Sequence, residues 1–288
     1  MNEYHVLNLG AGVQSTTLYL MSMASEAPRF DVAIFADTGE EPVAVYRHLD
    51  WLQSLNGPPI LVRKARGNRS TGRLGDDLIR GSNSTGGRFA SIPAYTTTDG
   101  GTTHGRTRRQ CSNEYKIVVI EWTIRREVIG LKPGQRIPRD VAVHQYFGIS
   151  LDESSRATRI YERFHVTGES KFMPHFPLID RMMTRANCLD WLADRVPHEV
   201  PRSACVFCPF HTDVEWQKIK NRGGEDWARA VQVDHALRSG AVANRDMSQT
   251  MYVHASCKPI DEVEFRPHVN HKELQLGFGV ECEGVCGV

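Results

Sequence analysis

Two thiols set three positions apart, Cys205 and Cys208 in "SACVFCPF", are the residues most able to do chemistry in this chain. A C-x-x-C pair puts both sulfurs on one turn. There they can ligate zinc, form part of an iron–sulfur cluster, or exchange as a redox couple. Pro209 directly after the pair is compatible with a cluster loop. Cys111 stands in "RRQC", after Arg108 and Arg109, and Lys116 comes five residues later. Such cations favour thiolate over thiol. Cys282 and Cys286 lie in the closing "ECEGVCGV". Cys188 shares an expected helix face with Leu192 and reads as a buried structural thiol. Cys257 has Lys258 beside it, which could lower its pKa, but it reads as a bystander. Seven cysteines in 288 residues, behind an N-terminus unlike a secretory signal, argue against a disulfide framework. Metal or thiol chemistry in a cytoplasmic protein is expected instead.

A second constellation lies near the N-terminus. "VLNLGAGVQSTTLYL" passes from an apolar run to Gly10, Ala11 and Gly12, then Gln14, Ser15 and Thr16, then a helical pattern. Small residues let backbone N–H groups approach a ligand closely, and a helix start adds unpaired donors and a positive dipole end. Together these make a phosphate cradle, although the spacing fits neither the Walker nor the dinucleotide fingerprint. An ordinary tight turn is the other reading. Asp37 and Thr38 in "FADTGEEP" end a second apolar run, where a strand acid would face a ligand or simply close a turn.

The elements that must position these groups alternate. "HVLNLG", "DVAIFADTG", "PPILVR" and "VAVHQYFGIS" read as strands, with helices in "STTLYLMSMAS", "EPVAVYRHLDWLQSL" and "YKIVVIEWTIRREVIG". That order implies a parallel sheet covered by helices. "TRANCLDWLADR" reads as a helix from Thr184, and "HTDVEWQKIKNR" opens on a Thr212–Glu215 capping box. The end, from about Leu274, is glycine-rich and reads as irregular. Between Gly57 and Ile120 eleven basic residues face four acidic ones, either a solvated loop or a cover over an anionic substrate. Overall net charge is only +1, and no apolar run is long enough to span a membrane.

The motifs resemble a known superfamily. "GAGVQS" is similar to the Ser-Gly-Gly-x-Asp-Ser loop of the PP-loop ATP pyrophosphatases, with Gly10 at the first Ser, Gln14 at the Asp and Ser15 at the last Ser. Asp37-Thr38-Gly39 resembles the segment after the second strand in the phosphoadenylylsulfate (PAPS) reductase branch. The order of pyrophosphate loop, arginine-flanked Cys, "GISLDESSRATR", "FPLID", C-x-x-C and a final Glu-Cys is similar to the adenylylsulfate reductases with a 4Fe–4S cluster. Those carry Cys-Cys where this chain has Gln110-Cys111.

The resemblance implies an α/β fold, an adenine nucleotide alpha hydrolase-like (Rossmann-like) domain over residues 1–180. A smaller helical region over 181–288 would carry the C-x-x-C and the Cys-rich tail. It implies ATP with Mg2+ at Gly10–Thr16, Asp37 and Thr38, and a cluster on Cys111, Cys205 and Cys208 with one iron left open, as in cluster-dependent tRNA thiolases. Zinc is the alternative metal, and Cys257, Cys282 or Cys286 could complete a four-Cys site. The implied activity is ATP-dependent sulfur transfer to an adenylated carbonyl of a nucleobase, nucleotide or nucleic acid. Arg109 and Lys116 would offset phosphate charge, beside Cys111 and Cys282 as reactive thiols. Asp152, Glu153, Arg156 and Arg159 would face substrate. The expected partners are a sulfur donor (sulfide, or persulfide from a cysteine desulfurase), a nucleotide or nucleic-acid substrate, and a second copy of the chain, with no membrane. Two other activities stay open: PAPS or adenylylsulfate reduction to sulfite through Cys282, and a zinc-stabilised nucleotide-binding subunit without chemistry.

Overall fold

The structure, a computed structural model, describes residues 2–67, 70–82, 91–98, 104–166, 171–239 and 249–266. Its central sheet has five parallel strands in the order β3-β2-β1-β6-β7. These are β1 (Asn2–Asn8), β2 (Val32–Asp37), β3 (Ile60–Lys64), β6 (Val141–Phe147) and β7 (Phe172–His175). Every residue of β2 is buried, as a strand covered on both faces requires. Helices α1 (Val13–Met23), α2 (Val43–Ser54) and α7 (Arg185–Leu192) cover one face, where Leu7, Phe35, Leu18, Leu52 and Leu192 share a core. Against the other face, Val6, Ile34 and Val143 meet Val119, Ile120 and Ile124. The chain thus has the α/β, parallel-sheet architecture expected, consistent with a Rossmann-like fold.

The face-covering helix at 111–128 is not uniform. α4 (Val118–Thr123) is flanked by two π-helical turns, Asn113–Ile117 and Ile124–Val128. Wider turns change which side chains share a face. Tyr115, Lys116 and Ile117 are all buried, a run of three that a regular α-helix at a surface does not produce. α5 (Ser154–Val166) and α6 (Pro177–Asp180) pack beyond β6.

A second core lies beside the sheet. It joins α3 (Leu74–Ile79), Ile92, Ala94 and Tyr115 to α8 (Asp213–Arg222), α9 (Gly224–Arg238) and residues 251–265. A small antiparallel sheet stitches them, in the order β5-β4-β8: β4 (Tyr95–Thr97), β5 (His104–Arg106) and β8 (Thr250–Tyr252). Apolar packing therefore crosses residue 180 in both directions. α7 belongs to the sheet core, and the basic segment folds with the C-terminal helices. The Thr212–Glu215 capping box forms as expected, and Thr184 caps α7 with Asn187. The glycine-rich end, with Cys282 and Cys286, lies outside the described residues. Among the described helices none is long and apolar enough to cross a membrane.

β1 feeds α1 towards β2, whereas β6 lies on the other side of β1, so the sheet reverses its winding between them. At such a switch point the carboxyl ends of two strands leave a crevice. Gly148, just past β6, packs directly on the start of α1: a Cβ there would lie 2.6 Å from the Ser15 nitrogen and 2.7 Å from its Cα. Backbone atoms cannot swing aside as a flexible side chain can. Gly148→Ala is expected to lower unfolding free energy by about 1–3 kcal/mol, the range of an overpacked interior. Urea denaturation reads this, and an unchanged midpoint would mean that α1 and the β6 turn separate freely.

Candidate functional site

The glycine turn enters α1 through Gly12, and no side chain caps the helix start. The left-handed residue is Ala11, at φ 57°, not either glycine. That conformation is unfavourable for a residue with a Cβ, which makes it a point of local strain. Ser15 ties the turn together: the Gly10 N–H donates to its Oγ at 3.2 Å, and its hydroxyl donates to the Gly12 carbonyl at 3.4 Å. Thr16 is engaged elsewhere, with Oγ1 at 2.8 Å from His48 Nε2, and His48 Nδ1 at 2.8 Å from His198 Nε2. Of the expected hydroxyl pair, Ser15 belongs to the turn and Thr16 to the packing of α1 on α2.

Gln14 sits in a buried polar network at the switch point. Its amide nitrogen donates to Glu153 Oε2 at 3.0 Å and to Ser150 Oγ at 3.3 Å, and its carbonyl accepts from Arg185 Nη1 at 3.1 Å. Glu153 in turn takes a hydrogen bond from Arg156 Nη1 at 3.1 Å, both side chains buried. Of the four charged residues singled out after β6, Glu153 and Arg156 line this network, while Asp152 and Arg159 are exposed. Asp152 accepts the Arg185 backbone N–H at 3.1 Å.

The end of β2 and the loop after it carry three buried acids. Asp37 accepts from the Gly39 N–H at 2.7 Å and from the Tyr46 hydroxyl at 2.8 Å, with Lys64 at 3.5 Å. Burial and then the Asp37 charge push the Tyr46 phenol far up, so it stays a donor. Glu40 receives Arg229 at 2.7 and 2.8 Å and the Gly75 N–H at 3.1 Å. Glu41 pairs with Lys116 at 3.2 Å and accepts from Ser203 at 3.1 Å. Lys116, expected near the phosphates, is thus bound to a buried carboxylate. Between these acids, Thr38 Oγ1 lies 3.3 Å from Cys205 Sγ, and the Val206 N–H donates to the Glu40 carbonyl at 2.8 Å.

The C-x-x-C turn is closed by the Cys208 N–H on the Cys205 carbonyl at 2.9 Å. His211 Nε2 meets the same carbonyl at 2.9 Å, and burial holds the His211 imidazole down at about 3. Cys205 is in the second core, and Cys111 and Cys208 pack against it. Cys257 lies close by, past β8: the Tyr95 phenol on β4 is pushed up by burial, and Cys208 and Cys257 both add to that rise. Burial raises the Cys257 thiol, so the lowering expected from Lys258 is overturned. Cys188 is fully buried in the sheet core. Arg106 and Arg109 both stack over Phe210 at 5.1 Å, two residues past Cys208. Arg108 is exposed. Tetrahedral zinc needs sulfurs roughly 3.8 Å apart, from a Zn–S bond of about 2.3 Å. Among the described residues no three cysteines gather within 4.8 Å of one another.

The chain matches no protein-family model, no curated protein and no solved structure.

Several residues of this site escape a reading of spacing alone. Arg185 occupies the first position of α7, where the helix dipole disfavours a cation, and that mismatch was its signal. Glu40 and Glu41 stand close behind Asp37, so the acidic run itself was visible, but not their partners 35 to 189 residues away. His48 carries no motif.

Two outcomes are expected from these buried charges. Lys116→Met removes a buried cation beside Glu41 and is expected to cost about 3–5 kcal/mol, whereas Lys116→Met with Glu41→Leu recovers most of that loss. Chemical denaturation of both variants checks this. Burial and then His198 hold His48 at about 4, below its ordinary 6.5. As pH falls, the unfolded chain takes up this proton first, so stability drops between about pH 6.5 and pH 4, by about 3 kcal/mol. His211 contributes in the same direction. The slope of unfolding free energy across this window should be smaller in His48→Asn, and an identical slope would contradict it.

Proposed function

We propose that this chain is an ATP-dependent sulfurtransferase of the PP-loop pyrophosphatase type. One contact carries the reading: Thr38, the residue after Asp37 at the carboxyl end of β2, touches the sulfur of Cys205 at 3.3 Å. The carboxyl end of β2 and the C-x-x-C turn are therefore neighbours, although 167 residues separate Thr38 from Cys205.

In this reading the Gly10–Gly12 turn and the start of α1 hold the triphosphate. Its magnesium needs oxygen ligands, for which Asp37 and Glu153 are the buried carboxylates on either side of the turn. The motif that the turn resembles has an acid where Gln14 stands, and Glu153 brings a carboxylate to within 3.0 Å of the Gln14 amide. Arg185 and Arg109 are the cations assigned to the phosphates. The substrate's carbonyl oxygen attacks the α-phosphorus and pyrophosphate leaves. Sulfide then attacks the activated carbon, the carbon–oxygen bond breaks, and AMP departs with that oxygen. Cys111, Cys205 and Cys208 suit a 4Fe–4S cluster by donor type and by packing on one core. Such a cluster, when bound, supplies an iron that can carry sulfur.

ATP–pyrophosphate exchange, and acceptor-dependent pyrophosphate release with nucleobases, nucleotides and RNA, test the reading. Glu153→Gln should lower either rate on the order of 10²-fold, the scale of one preorganised electrostatic contact. Iron content after anaerobic purification should fall in Cys111→Ser, Cys205→Ser and Cys208→Ser, and stay unchanged in Cys188→Ser. Sulfite release from an adenylyl sulfate without pyrophosphate chemistry would replace sulfur transfer by reduction. No nucleotide binding at all would remove both.

A further inference from the structure

A separate group of ligating side chains lies away from the crevice, towards the amino-terminal end of β1. Glu3 and His5 are two residues apart on that strand, so they share a sheet face. The parallel register sets His5 beside His144 of β6. One donor atom from each of Glu3, His5 and His144 lies within 4.8 Å of the other two, the sole such group of three among the described residues.

The second observation is an orphan. His144 Nε2 is buried and has no hydrogen-bond partner, and its nearest charged neighbour is the Glu3 carboxylate at 3.8 Å, beyond hydrogen-bonding distance. A buried polar nitrogen with no partner is costly. The other ring nitrogens are already held: His144 Nδ1 lies 2.9 Å from His175 Nε2, and His5 Nδ1 lies 2.9 Å from the Tyr146 hydroxyl. This is how ligating histidines are oriented, with the remote nitrogen fixed by an outer partner and the near one left for a metal. The His5 and His144 rings are parallel within 6°, with centroids 4.7 Å apart.

We propose that Glu3, His5 and His144 form a zinc site, with His175 and Tyr146 as its positioning residues. Zinc–nitrogen and zinc–carboxylate bonds of about 2.0–2.2 Å require the three donors to close up. Glu3 can move in, because its side chain is 46% exposed, and the two parallel imidazoles must turn so that both Nε2 lone pairs meet one ion. The donor set, two nitrogens and one carboxylate, selects zinc over magnesium. Three protein ligands leave a fourth position for water or for a ligand from outside the chain.

The test uses the untagged full chain and reads the histidines directly. Zinc is titrated while the side-chain nitrogen resonances of His5, His144 and His175 are monitored, and bound zinc is counted by elemental analysis. Cobalt separates this site from the cysteines, since only thiolate ligation gives a sulfur-to-cobalt charge-transfer band. Zinc should shift the His5 and His144 resonances, and one equivalent should be lost in His144→Gln and in His5→Gln. Glu3→Gln, a change at an exposed position that leaves folding intact, should weaken the same step, and His175→Gln should weaken it by about 10–100-fold. Magnesium should shift nothing. Resonances that stay in place under excess zinc, or equal zinc content in wild type, His5→Gln and Glu3→Gln, would overturn the proposal.

Discussion

Everything in this fold is arranged around acids that cannot reach water. Asp37 ends strand β2, Glu40 and Glu41 follow it, and each is at most 4% exposed. A carboxylate in that position is tolerable only with cations and donors around it. The partners come from widely separated parts of the chain: Tyr46 and Lys64, Arg229 and the Gly75 backbone, Lys116 and Ser203. Satisfying three charges therefore draws the basic segment, the C-x-x-C region and α9 onto the sheet's carboxyl edge. The two apolar cores supply the bulk of burial. The acidic loop decides how they meet.

The same loop holds Cys205 beside the carboxyl end of β2. Cys205 and Val206 are bound to Thr38 and Glu40, so the C-x-x-C turn is anchored to the strand end rather than to a free surface. On the far side of the glycine turn, Gln14, Ser150, Glu153 and Arg185 form a second polar bundle. The space between these bundles has charged groups of both signs held rigidly on strand ends and helix starts. That is the kind of setting in which fixed dipoles act strongly on a ligand.

How much of this was legible depends on the range of each interaction. Strands β1, β2, β3 and β6, helices α1, α2, α7 and α8, and the Thr212–Glu215 capping box rest on local pattern, and apolar period or capping residues revealed them, whereas α5, α9, β7 and the Thr184–Asn187 box were not read from it. The parallel sheet could be inferred from their alternation. The role of the basic segment could not, because β4 pairs with β8 across more than 150 residues and short-range pattern carries no such information. Among site residues, the glycine turn, Asp37, Glu153 and the C-x-x-C pair stood out by type. Lys116 stood out too, but its partner is a carboxylate rather than a phosphate-facing neighbour. Arg185, Ser203 and His48 act through partners that only the folded chain brings near.

The widened helical turn at Asn113–Ile117 has a consequence for how Cys111 is aimed. A helix advances by about 100° for each residue, so the extra residue in a π turn rotates the upstream part of the helix relative to the downstream part. Tyr115 and Lys116, within the widened turn, are clamped by Asp77 and Glu41, while Cys111 sits upstream with its backbone tied to Ser91. Shortening the segment by one residue would relax it to ordinary α geometry and turn the thiol away from the core it now packs against. In this protein the bearing of a sulfur atom is set by counting residues, much as the pitch of a screw sets where its slot comes to rest.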